Sequence, residues 1–154
     1  MARISCLAGI DGDKVAMLSV VLGQVGAPAP RTSARLNVSE LGKLAPGLIV
    51  CDVDGLDVDP LEIVRQLRFV LPDCIIAVYT ELGTRSWAIA WHLAGANCLL
   101  SKDSTRAELS SGLRGALRTG CFTDPRFGPR PLKRLGSSTN KVNGARSQSP
   151  RAVR

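Results

Sequence analysis

The chain has 154 residues, 45% hydrophobic and only 4% aromatic, with a formal net charge of +7. That length and content support one domain with a mostly aliphatic core, and no apolar run approaches the ~20 residues that span a bilayer. The charge is uneven: residues 1–118 hold twelve Lys/Arg and twelve Asp/Glu, whereas residues 119–154 hold eight Lys/Arg against Asp124 alone.

Residues 3–8 read as a first strand. Met1-Ala2-Arg3 leads straight into it, without the long apolar run of a secretory leader. Val15, Leu18, Val21, Leu22 and Val25 share one side of a helix over 14–25, with Asp13 as its expected N-cap and Gly26 as its stop. After the loop Ala27-Pro28-Ala29-Pro30, residues 34–37 are the expected second strand, and Ser39–Leu44 supports a helix of one or two turns. Strand three is expected over 47–52 and a helix over 60–70, with Pro60 in its first turn. Strand four follows over 74–79, then a helix over 84–94 stopped by Gly95. Strand five spans 97–101, and Ser104 is the expected cap of a helix over 105–118, where Glu108 falls four residues on and leaves the capping box incomplete. From about residue 128 the sequence turns to Gly, Pro, Ser, Asn and Arg and is expected to be disordered. The domain boundary is drawn at 1–122, with 123–154 as a basic tail.

This alternation predicts a flavodoxin-like (βα)5 three-layer sandwich around a parallel five-stranded sheet of order 2-1-3-4-5. Asp52, Thr80 and Lys102 then fall at or just past the carboxyl ends of strands three, four and five, where ligands collect in such sheets. A carboxylate, a hydroxyl and an ammonium converging there can make a phosphoryl-accepting site, the carboxylate as nucleophile and the other two on phosphoryl oxygens.

The segment Asp52-Val-Asp-Gly-Leu-Asp-Val-Asp-Pro-Leu-Glu62, the offsets of 28 and 50 residues from Asp52 to Thr80 and Lys102, and the runs Ala94–Asn97 and Leu99–Asp103 resemble the receiver domain of bacterial response regulators of the NarL/FixJ type. The likeness covers about residues 3–127. It implies Asp52 as phosphoacceptor, Thr80 as switch hydroxyl and Lys102 as phosphate-binding lysine. It also places Asp54 where a backbone carbonyl meets Mg²⁺. The pattern departs in three places. Ala8-Gly9-Ile10 stands where an acidic pair would hold Mg²⁺, leaving Asp11 and Asp13 a few residues late; Leu99 replaces an aromatic switch residue; and no proline follows Asp52. With Asp52, Asp54 and Asp11 as its candidate ligands, Mg²⁺ is expected to bind weakly.

The expectation is an atypical receiver in two-component signalling and transcription regulation. It is not an enzyme, its aspartyl phosphorylation is impaired or absent, and it acts by protein contacts. The implied partner is a histidine kinase, another regulator or a second copy, met through the face of helix four, strand five and helix five, with Trp91, Arg106, Arg114 and Arg118 as candidate contacts. A phosphorylation-competent switch is the nearest alternative. A haloacid-dehalogenase-like phosphatase is another, because Asp52-Val53-Asp54-Gly55 is similar to its first motif, although here that motif ends the third strand and no room is left for a cap domain. The basic tail offers a further class, non-specific nucleic-acid binding. The roughly 30 residues after the linker are too few for a helix-turn-helix output domain. An EF-hand reading of Asp54, Asp57 and Asp59 fails, since Asp59 and Arg65 stand where Gly and Glu are needed. His92 is alone. The five cysteines are odd in number, without a CxxC pair, and four fall in expected strands. Buried thiols in a reducing cytoplasm fit that pattern.

Overall fold

The computed structural model describes residues 3–128. A first strand, β1 (Ser5–Ala8), leads to helix α1 (Gly12–Gln24), an edge strand β2 (Arg31–Ser33) and a short helix α2 (Val38–Leu44). Then come β3 (Leu48–Asp52), α3 (Pro60–Val70), β4 (Ile75–Thr80), α4 (Arg85–Ala94), β5 (Cys98–Ser101) and α5 (Arg106–Thr119). A two-residue strand β6 (Phe122–Thr123) and a 3₁₀ turn (Pro125–Phe127) follow. All adjacent strands pair in parallel, in the order β2-β1-β3-β4-β5-β6. The expected 2-1-3-4-5 sheet is present, with a sixth strand added at its edge.

Helices cover both faces, so the central strands are apolar throughout. Side chains alternate between two cores. Ile49, Cys51, Ile76, Val78 and Leu99 face α2, α3 and α4, while Leu48, Val50, Ala77, Tyr79, Cys98 and Leu100 face α1 and α5. Cys6, Cys51, Cys74 and Cys98 are buried free thiols and Cys121 is exposed. Burial pushes Cys51 and Cys74 up to about 12, so they pack as small hydrophobes and not as nucleophiles.

Several local expectations need correction. Strand two lies at 31–33, not 34–37: the Ser33 hydroxyl donates to Arg35 O and accepts from Arg35 N, which bends the chain out of the strand. Asp11, not Asp13, occupies the N-cap of α1. Thr105, not Ser104, caps α5, and this shift by one residue completes the capping box. Thr105 Oγ1 accepts from Glu108 N (3.1 Å) while Glu108 accepts from Thr105 N (2.8 Å).

Trp91 is not a surface residue. It is fully buried between α4 and the sheet, with Trp87 stacked on it at 5.4 Å between ring centroids. Leu99 lies in the same cluster, so aromatic bulk comes from α4 and not from β5. Packed structure also runs past residue 122, because Phe127 is completely buried in the α4-side core.

Arg68 ties the end of α3 to the turn before β5. Its guanidinium donates to the carbonyls of Leu71, Pro72, Cys74 and Gly95 at 2.8–3.1 Å and to Asn97 Oδ1. Gly95 has φ +121°, and a Cβ there would come within 2.7 Å of Arg68 Cβ. Glycine is therefore required at that turn by both backbone and space.

Candidate functional site

The parallel register sets the site. Asp52 lies opposite Tyr79 across β3 and β4, and Thr80 lies opposite Ser101 across β4 and β5. The Lys102 N–H donates to Thr80 O at 3.0 Å, which holds the lysine beside the end of β4. Asp52, Thr80 and Lys102 thus meet at the carboxyl edge of the sheet, where the sequence pattern placed them.

Lys102 Nζ lies 2.7 Å from Asp52 Oδ2 and 2.9 Å from Asp54 Oδ2. It also stands 5.8 Å from the centroid of the Tyr79 ring, on the favourable face of a cation–π contact. The loop is tied to Asp52 as well, since the Asp54 backbone N–H donates to Asp52 Oδ1 at 2.9 Å.

Asp54, in the sequence a candidate Mg²⁺ ligand, plays an acceptor role here that sequence reasoning missed. Thr80 Oγ1 donates to Asp54 Oδ1 at 2.6 Å, and Glu81 N donates to Asp54 Oδ2 at 2.9 Å. The resemblance directed attention to the backbone carbonyl of Asp54, whereas here its carboxylate fills the pocket. The Asp-x-Asp spacing was the available signal. Partial burial works to raise the Asp54 carboxyl, but hydrogen bonds from Thr80, Lys102 and Glu81 N outweigh it and hold the pKa below the ordinary carboxylate range. Lys102 shows the mirror image: burial acts to lower it, and Asp52 and Asp54 hold it above an ordinary lysine.

These donors do not fit Mg²⁺. The metal wants an octahedral shell of oxygens, commonly including one or two carboxylates free to bind it. Here Asp52 and Asp54 already share one ammonium. Asp11 is exposed at the α1 N-cap, and among the described residues no three His, Cys, Asp or Glu side chains group as metal ligands. The end of β1 offers buried Ala8 and then Gly9. Gly9 has φ +69°, and a Cβ on it would come within 3.3 Å of Asp52 O. An acidic side chain at that position would be strained.

The candidate partner residues separate. Trp91 is buried, as described above. Arg114 donates to Gln24 O at 3.2 Å, and with Arg106 it lines a groove on the α1 side of α5, away from α4. Arg118 is exposed in the last turn of α5. On the other side of β5, β6 fills the strand edge, and Phe122 packs against Gly112 of α5. Asp124 anchors this segment. It is buried, accepts from Ser104 Oγ at 2.6 Å and from Arg126 N at 2.8 Å, and its own N–H donates to Leu99 O. Arg126 then pairs with Glu108 at 3.1 Å. His92 is structural, bonded to Ala96 O and Thr123 Oγ1. The basic tail lies outside the described residues.

Comparison with solved structures places this architecture. The isolated REC domain of RcsB from Salmonella enterica serovar Typhimurium, determined with the phosphomimetic BeF₃⁻, superposes with a TM-score of 0.68 over 82% of this chain and 96% of that one, at 16% identity. The fold is that of response-regulator receiver domains. The response regulator DrrB of Thermotoga maritima, an OmpR/PhoB homologue, matches at 0.61 with 20% identity over 79% of this chain and 55% of its own length. A candidate pilus assembly protein (cpaE) from Burkholderia thailandensis matches at 0.62 with 16% identity, over 77% of this chain and all of that one. No family model matches the sequence, and no curated protein matches it. Among the described residues, no helix is long and apolar enough to cross a membrane.

Proposed function

We propose that this chain is an atypical receiver-type signalling domain of the NarL/FixJ kind, in which an internal ion-pair cluster takes the place of a Mg²⁺-assisted phosphorylation site. The observation that carries the proposal is Lys102 Nζ shared between Asp52 and Asp54 at 2.7 and 2.9 Å. Phosphoryl transfer to Asp52 would place further negative charge beside two carboxylates, and a metal ordinarily offsets that charge. One ammonium serving two carboxylates offsets little of it. Transfer to Asp52 is therefore inefficient or absent, and the domain signals through protein contacts rather than turnover.

The partner proposed is a kinase, another regulator or a second copy of this chain. With β6 on the edge of β5, the α4–β5–α5 face carries Ile89 and Leu93, exposed on α4. The likeness to a candidate pilus assembly protein fits a receiver fold serving as a contact module. A phosphorylation-competent switch is the second reading, favoured by the BeF₃⁻-bound regulators among the structures this chain resembles.

Incubation with acetyl phosphate and Mg²⁺, followed by intact-mass measurement, tests the proposal. The expected result is an unmodified chain. Rapid, stoichiometric gain of one phosphoryl group, lost in Asp52→Ala, would establish the switch instead. Release of many phosphates per chain from a phosphoester would point to phosphatase chemistry.

A further inference from the structure

We infer that the α1–α5 face is a docking surface for the phosphodiester backbone of a nucleic acid. The groove between the two helices is its fixed part, and the basic segment 129–154 extends it. The inference does not depend on whether Asp52 accepts a phosphoryl group.

The groove is lined by Gln24 at the end of α1 and by Arg106, Ala107, Ser110 and Arg114 of α5. No acid is among them. Ser110 Oγ donates to Gln24 Oε1 at 2.7 Å and Arg114 donates to Gln24 O at 3.2 Å, so polar bonds tie α5 to the end of α1. Arg106, Arg114 and Arg118 are exposed, and none of the three joins an ion pair among the described residues. The acids of these two helices are Asp13 and Glu108. Asp13 is followed by Lys14, and Glu108 is paired with Arg126, which comes after β6. The three arginines therefore leave this face with uncompensated positive charge.

Their spacing suits a long anion. At 1.5 Å per residue, Arg106 and Arg118 lie about 18 Å apart along the helix axis, farther than one phosphate or carboxylate can bridge. A DNA duplex carries one charge per about 1.7 Å of its axis and can meet all three. The chain continues the same field. Arg126 is bonded to Glu108 in the first turn of α5, and Gly128 is the last described residue. Residues 129–154 then hold seven Lys/Arg and no Asp/Glu. An acidic protein is the poorer fit, because protein interfaces anchor on buried aromatic or large apolar side chains and the groove lining has none. Guanidinium forks match phosphate instead.

The test is fluorescence anisotropy of short labelled DNA and RNA duplexes of arbitrary sequence, from about 50 to 200 mM salt. It compares the full chain, Arg106→Ala/Arg118→Ala, Arg106→Lys/Arg118→Lys, and the charge-matched control Arg35→Ala/Arg85→Ala, whose arginines are exposed outside α1 and α5. Loss of two phosphate contacts in the α5 alanine pair is expected to make the slope of log affinity against log salt shallower by about 1.8, with binding at least about fivefold weaker at low salt. The control keeps the slope of the unaltered chain, and the lysine pair keeps most of it. This pattern with either duplex supports the inference, and the preferred duplex names the source of the backbone. Failure to bind both duplexes, or equal loss in the α5 alanine pair and the control, would overturn it. A poly-glutamate peptide bound in the same Arg106- and Arg118-dependent way, while neither duplex is, would also overturn it and assign the face to an acidic protein.

Discussion

Lys102 supplies the positive charge that lets Asp52 and Asp54 lie side by side, and all three side chains are 13–19% exposed. Replacing it with methionine leaves two carboxylates facing each other without a counter-charge. Breaking a fully buried pair costs about 3–5 kcal/mol, and partial solvation reduces this. Lys102→Met is expected to lose about 2–3 kcal/mol, read from the urea midpoint at constant m. The pH dependence has a definite sign. The lowered Asp54 pKa makes its contribution fully present above the ordinary carboxylate range and lost as pH falls through the folded value. The raised Lys102 pKa makes its contribution present below the ordinary lysine range and lost only as pH rises through its folded value. The Tm difference between the unaltered chain and Asp54→Asn should be level from about pH 6 to 9 and shrink as pH falls below about 4. A difference that grows in acid would show that Asp54 is not held in its ionised form.

At the scale of elements, the termini and turns carry much of the definition. Thr105→Ala removes the hydroxyl that accepts from Glu108 N and should cost about 1 kcal/mol in chemical denaturation, whereas Ser104→Ala leaves the cap intact. Arg68 has no carboxylate partner among the described ion pairs and bonds instead to carbonyls around the α3 terminus and the Gly95 turn. Arg68→Ala strands several of those acceptors and should cost about 2–4 kcal/mol, with Arg68→Lys recovering little because one ammonium cannot span the fork. The well-marked elements were legible in the sequence: α3 was placed over 60–70 with Pro60 in its first turn, and it spans Pro60–Val70. The weak ones were not. β2 has three residues with no buried one, so no alternation marks it, and its end is set by the Ser33 side chain. β6 has two residues and owes its place to Phe122 against Gly112 and to the Asp124 anchor, both tertiary contacts.

For the whole molecule, the sheet places the site and the chain's own segment 122–127 finishes the sheet edge. Phe127 is buried in the core shared with Trp91, so Phe127→Ala should cost about 3–5 kcal/mol by calorimetry or denaturant. A loss under about 1 kcal/mol would show that this segment merely rests on the domain. The convergence of Asp52, Thr80 and Lys102 was legible because strand ends in a parallel sheet share one edge. The inward turn of Asp54 was not, because spacing along a loop does not fix the direction of a side chain. The burial of Trp91 was not legible either: α4 offers Trp87 and Trp91 four residues apart, and only packing decides which goes inside. The most direct test is a crystal structure grown with Mg²⁺ at high concentration. We predict Lys102 Nζ still between the Asp52 and Asp54 carboxylates, with Asp54 on Thr80 and Glu81 N. A Mg²⁺ ion octahedrally held by Asp11 and Asp52, with Lys102 turned to solvent, would contradict the account.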